Sequence, residues 1–123
     1  MDANALIDRL KTHSRCSEVG MILCHNGVVR ATSRDGRAVT GLRVAVDHEK
    51  LDAAIVAGKK RPGIVEILVE IAEDVDLSVG QDVMLLAVAG DIRENVIAAL
   101  EETLNTVKTA VTRKTEFFVS DHE

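Results

Sequence analysis

The chain has 123 residues and a mass of 13.3 kDa, with 20 acidic against 15 basic side chains and a formal net charge of −5. That length predicts one domain over 1–123, and the acidic balance excludes the molecule as a whole from binding polyanions, leaving only a local basic patch. Two Phe with no Trp or Tyr argue against single-stranded nucleic acid as a partner, and no run of 18 apolar residues exists to form a membrane span.

The opening Met1-Asp2-Ala3-Asn4 carries neither a charged leader nor an apolar signal core, so a cytoplasmic location is expected, with no nucleic-acid and no membrane partner. From Ala3 to about Thr12 the pattern is helical, with Leu6, Ile7 and Leu10 on one face. Ser14 to Glu18 breaks it. Gly20 opens the apolar run Met21-Ile22-Leu23-Cys24, which passes His25-Asn26-Gly27 and resumes as Val28-Val29-Arg30; this predicts one strand bent at Gly27. Cys24 reads as a small buried hydrophobe and Cys16 as an exposed thiol; the pair forms neither a disulfide framework nor a metal motif.

Ser33-Arg34-Asp35-Gly36 is a turn signal, and the alternation from Val39 to Val46 completes an expected β-hairpin with the first strand. Asp47 can cap a helix from His48 to about Lys60 that turns Leu51, Ala54 and Ile55 inward and ends at Pro62-Gly63. Ile64 to Ile71 alternates as a strand, with Glu66 and Glu70 together on a solvated or interface face. The acidic stretch from Glu70 to Asp76 reads as a charged sheet edge. Asp82 to Ala89 is apolar throughout and is expected to be a central strand covered on both faces.

Asp91 and Glu94 have the spacing of a capping box for a helix to about Thr112, with Val96, Leu100, Leu104, Val107 and Val111 as its apolar stripe. That helix would run into Arg113-Lys114 and then a strand-like tail, Glu116 to Val119. The order α-β-β-α-β-β-α-β predicts an α+β domain: a mostly antiparallel sheet with helices packed against it.

Histidines 13, 25, 48 and 122 are scattered and suggest no metal site; His25, in mid-strand, reads as a hydrogen-bonded structural residue. Two readings compete for the cations near the end of the last helix. Lys108 sits beside the apolar stripe, where its stem can cover core while its head reaches water, and Lys114 with Arg113 can complement the helix dipole. The same groups can instead hold an anion. Arg30 likewise is either an ordinary exposed strand-end arginine or an anion anchor.

Four segments in order tip the balance. Gly20 with its apolar strand ending in Gly27-Val28-Val29-Arg30, then Asp35-Gly36 through Val39 to Leu42, then Asp76-Leu77-Ser78-Val79-Gly80-Gln81, and finally Lys108 to Lys114-Thr115-Glu116 resemble the large, catalytic subunit of molybdopterin synthase. The resemblance runs from about Glu18 to Phe118. It implies a homodimer whose protomers each accept the Gly-Gly tail of a small ubiquitin-like sulfur-carrier subunit. Sulfur then passes from the thiocarboxylate on that tail to cyclic pyranopterin monophosphate, forming molybdopterin, and the protein itself holds no cofactor and no metal.

Carried over by motif, the resemblance implies catalytic roles for Lys114 and Lys108 and substrate binding by Arg30, with Arg113 and Arg93 as further substrate-binding candidates. The sequence also departs from the family. Asp91-Ile92 stand where the family has a His-Arg pair, with Arg93 displaced along the helix. Ala31-Thr32 replace a polar pair after the first Arg, and a Pro-x-Trp spacer is absent, so that the bridge between the lysines is one residue shorter. These departures keep open a non-catalytic homologue acting as a binding or regulatory module. Outside the resemblance, a small α+β domain whose basic helix end recognises an anion is a further alternative.

Overall fold

The computed structural model describes residues 1–119. Helix α1 (Ala3–Lys11) and a 3-10 turn (Cys16–Glu18) lead to β1 (Met21–Val28), β2 (Val39–Val46) and α2 (His48–Lys59). Then come β3 (Ile64–Ile71), the two-residue β4 (Leu77–Ser78), β5 (Asp82–Gly90), α3 (Arg93–Thr106), a π-helical turn (Val107–Val111) and β6 (Thr112–Phe118). This is the α+β order expected from the sequence, with β4 added inside the connection from Asp76 to Gln81.

Six strands form two antiparallel sheets, ordered β1-β5-β3 and β4-β2-β6. The reason lies in β5. Because both of its faces are apolar, it is stable only with a strand on each flank and cover on each side. Met84, Leu86 and Val88 join the core with α2 and α3, while Leu85, Ala87 and Ala89 pack with Leu6 and Leu10 of α1. Every residue from Met84 to Ala89 is 5% exposed or less.

The expected hairpin does not form. β1 bulges between Gly27 and Val28 and pairs with β5, whereas β2 pairs with β4 and β6. Only the bridge Thr32–Ala38 survives of the hairpin, closing a short turn between two sheets. The demand of β5 for a flanking strand outweighs the local turn signal. A third apolar cluster, Val29, Leu42, Val44 and Leu77, packs with Ile71 and Val83 and so joins the second sheet to the first.

Three further local expectations are corrected. Asp91 does not complete a capping box: the cap position is Ile92, and Asp91 Oδ1 instead accepts from Ile92 N at 2.6 Å and Asn95 Nδ2 at 2.9 Å. The stripe of α3 is centred on Val96, Ala99, Thr103 and Val107, with Leu100 and Leu104 at its margin. The last α-helix ends six residues early, at Thr106, and Arg113 and Lys114 belong to β6 instead of following directly on its end.

Glu66 is not on a solvated face. Its carboxylate, 18% exposed, lies 3.1 Å from Lys59 Nζ and 3.3 Å from His13 Nε2, and it accepts from Ile67 N, so it fastens the ends of α1 and α2 to β3. The acidic stretch is partly used as well, through Arg43–Asp76 at 3.1 Å and His48–Glu73 at 2.8 Å. Cys16 is exposed, as expected, whereas Cys24 is only half-buried, packed at the margin of the α1 cluster, and burial pushes its thiol up. His122 lies outside the described residues. Among the described residues no helix is long and apolar enough to cross a membrane.

Candidate anion-binding site

The π turn positions the first cation. An α-helix continued through Val107 would keep its tight winding, but here Thr112 Oγ1 donates to Val107 O five residues back, at 3.1 Å. The chain leaves the widened turn where Asp47 N donates to Val111 O at 2.9 Å. Val107 and Val111 are both buried by this turn, at 0% and 3% exposed, which leaves Lys108 and Thr109 on the outside. Single π turns within helices are often found at functional sites.

Strand alternation positions the second. In β6, Thr112, Lys114 and Glu116 lie opposite Val46, Val44 and Leu42 of β2, so they share the face that those core residues occupy. Arg113 lies opposite Ala45 and takes the other face. Lys114 therefore reaches the cavities described next, and Arg113 does not. Arg113 instead lines a separate depression with Lys50 and Asp47.

Two cavities meet at these lysines. The polar one, about 300 Å³, is lined by Arg30, Thr32, Ser33, Arg34, Lys108, Lys114 and Glu116, together with Val28 and Leu42. The other, about 380 Å³, has a floor of Val44, Ile71, Val83 and Met84, with Arg34, Lys108, Thr109, Thr112 and Lys114 around it. The structure thus brings together Arg30, Lys108 and Lys114, which lie far apart in sequence. Arg93 is outside, at the start of α3, its guanidinium 3.9 Å from Glu94 and largely exposed.

Four cations face the polar cavity against one carboxylate, Glu116, among the described residues. The nearest Lys114–Glu116 approach is 3.9 Å, a loose pair, and Arg30 Nε donates to Thr32 O at 2.8 Å. Gathered like charges repel, and an anion between them relieves that repulsion while gaining charge-assisted hydrogen bonds. On a chain of net charge −5 this concentration is a local exception.

Sequence reasoning missed Arg34, reading Ser33 to Gly36 only as a turn. The usable signal was a basic residue at the corner of a short turn that follows Arg30. It also read His25 incorrectly. His25 Nε2 is buried and has no hydrogen-bond partner among the described residues. Burial foremost, and the Lys108 charge second, hold the imidazole below its ordinary value and favour the neutral ring.

The sequence matches a family model described as MoaE protein over residues 1–110. No curated protein matches. Among solved structures, molybdopterin synthase from Staphylococcus aureus is similar with a TM-score of 0.78 and 19% identity, covering 98% of this chain and 87% of that one. The molybdopterin biosynthesis MoaE protein from Burkholderia ambifaria gives 0.73 and 17%, covering 99% and 87%. A complex of subunits 1 and 2 of molybdopterin-converting factor from Helicobacter pylori gives 0.70 and 16%, covering 100% and 87%. At these identities the structural likeness shows a shared fold, and the family match, spanning most of the sequence, goes further: the chain belongs to the MoaE protein family.

Proposed function

We propose that this MoaE-family protein acts in molybdenum cofactor biosynthesis as the large subunit of a molybdopterin synthase. In this reading it transfers sulfur from a thiocarboxylated small carrier subunit to cyclic pyranopterin monophosphate. The observation that carries the proposal is the convergence of Arg30, Lys108 and Lys114 on one pair of adjoining cavities within the MoaE fold.

The chemistry suits those residues. Both reactants arrive as anions, one bearing phosphate and the other a terminal thiocarboxylate. Arg30 offers a planar fork to either, although one of its N–H groups is held by Thr32 O. As sulfur bonds to the substrate a carbon–oxygen bond of the cyclic phosphate breaks, and water replaces the sulfur on the carrier's acyl carbon, so negative charge grows on the phosphate and on the carboxylate oxygen of the carrier. Lys108 and Lys114 supply positioned donors where that charge grows. The apolar floor of Val44, Ile71, Val83 and Met84 can accept a flat heterocycle while the cations hold its phosphate. A small-subunit partner, a homodimer, a cytoplasmic location and a single domain over residues 1–123 belong to the same reading; the Helicobacter pylori neighbour, being a two-subunit complex, supports the partner.

Purified protein given thiocarboxylated carrier and the cyclic precursor is expected to yield the dithiolene product. Absence of product would defeat the enzyme reading. Asp91 favours one second reading, a binding or regulatory module. It stands where the family carries a cation, and its carboxylate is engaged by Asn95 and Ile92 and held below the usual carboxylate range by those bonds. Carrier binding with no turnover would select that alternative.

A further inference from the structure

We propose that Arg34 is a further substrate-binding residue, closing a three-cation clamp with Lys108 and Lys114 on the phosphate of a phosphate-bearing heterocycle. This rests on the reading of the adjoining cavities as the substrate site.

The first support is placement. Arg34, Lys108 and Lys114 are the cations that line both cavities, so they stand at the divide between the polar chamber and the apolar-floored one. A ligand whose ring lies over Val44, Ile71, Val83 and Met84 brings an attached phosphate to that divide. Glu116 lines only the polar chamber, so on the apolar-floored side of the divide the three cations face no carboxylate among the lining residues.

The second support is rigidity. Arg34 stands at the corner of a turn closed by Gly36 N to Ser33 O at 3.0 Å, Ser33 N to Arg37 O at 2.9 Å and Arg37 N to Ser33 Oγ at 3.1 Å. Gly36 supplies the left-handed backbone, φ +87°, that this turn requires. Ser33 is buried at 6% exposed. Both arms are tied down: Val39 N donates to Ala31 O at 2.8 Å, Val119 N donates to Ala38 O at 3.0 Å, and the Arg37 guanidinium lies 3.6 Å from the centre of the Phe118 ring. Little backbone freedom remains to be lost when a ligand binds at such a corner.

The third support is availability. The neighbouring Asp35 carboxylate is taken by the Ser33 hydroxyl and by Arg37 N, and these contacts hold it below the usual carboxylate range. Among the described residues Arg34 has no ion-pair partner, whereas Arg30 spends one N–H on Thr32. The Arg34 fork is free to donate to two phosphate oxygens.

The test uses inorganic pyrophosphate as probe, titrated calorimetrically into the full chain at low ionic strength. Arg34→Ala should weaken binding about tenfold or more, Arg34→Lys should recover part of the loss, and Arg9→Ala, on the exposed face of α1 and outside both cavities, should leave affinity unchanged. Thermal unfolding of each variant checks that the turn still folds. Titration of Arg34→Ala indistinguishable from the parent, an equal loss in Arg9→Ala, or no binding by the parent would each overturn the proposal. In the dithiolene assay Arg34→Ala should raise KM for the cyclic phosphate with kcat little changed; a fall in kcat at constant KM would also overturn it. Should the parent make no dithiolene, the synthase reading fails, and the pyrophosphate titration still decides the role of Arg34.

Discussion

His25 shows how much a single side chain can carry here. Its Nε2 lies buried without a partner on the strand that leads to Arg30, and the nearby Lys108 charge adds to the burial that keeps the ring neutral. The unfolded chain takes up that proton more readily than the native one. The contribution of His25 to stability is therefore present above the unfolded imidazole value of about 6.5 and is lost as the pH falls through the depressed native value. His48 works in the opposite sense: Glu73 raises its value, so its contribution is present at low pH and fades as the pH rises. Urea denaturation across pH 5 to 7 should show the acid-side loss reduced in His25→Phe, and an unaltered profile would show that another group is responsible. At the same scale, Lys114→Ala and Lys108→Ala should each lower dithiolene formation by roughly a hundredfold or more, as expected when a donor to developing charge is removed. Unchanged turnover in either would remove that lysine from the chemistry. Arg30, Lys108 and Lys114 were legible as candidates because their motifs are local. Arg34 was not, since its significance comes from a turn folded over residues some seventy-five positions away.

At the scale of elements, what could be read from sequence was set by periodicity. The unbroken apolar run of β5 announced a central strand, and α2 and β3 appear almost residue for residue where spacing and punctuation put them. Strand partners were not legible. An Asp-Gly turn favours a hairpin over a few residues, but the choice of β1 for β5 and of β2 for β6 is made by burial across the whole sheet. The end of α3 escaped for a related reason: Thr109-Ala110-Val111 suits a helix, and the widened turn is imposed by packing of Val107 and Val111. Gly41 offers a test of how closely β2 and β4 approach. A methyl group there would be driven into the Leu77 carbonyl oxygen, a backbone atom with little room to yield. Gly41→Ala is expected to cost about 1–3 kcal/mol, the usual range for overpacking, read as a lower urea midpoint. A midpoint at or above that of the parent would mean that the second sheet is looser than described.

For the molecule as a whole, the sheet containing β5 carries most of the core, and both sheets contribute to the cavity lining together with the turn after Arg30 and the π turn. Leu86, fully buried in mid-β5, should report the first of these: Leu86→Ala is expected to cost about 2–5 kcal/mol, a large part of the total stability of a chain this size. A loss under about 1 kcal/mol in denaturant titration would contradict the close packing around it. The cavity, by contrast, is built where the two sheets meet, from β2, the turn after Arg30, the π turn and β6.

One consequence follows from the way Lys108 and Lys114 hang on either side of the junction between helix and strand. A strand has only two sides, so the length of the stretch Thr112-Arg113 acts as a parity bit. Removing Thr112 would exchange the outlooks of the two neighbouring cations, swinging Lys114 outward and bringing Arg113 in, while removing both Thr112 and Arg113 would return Lys114 to its original sense. Length variants in this short stretch should therefore alternate between the two outcomes instead of declining smoothly.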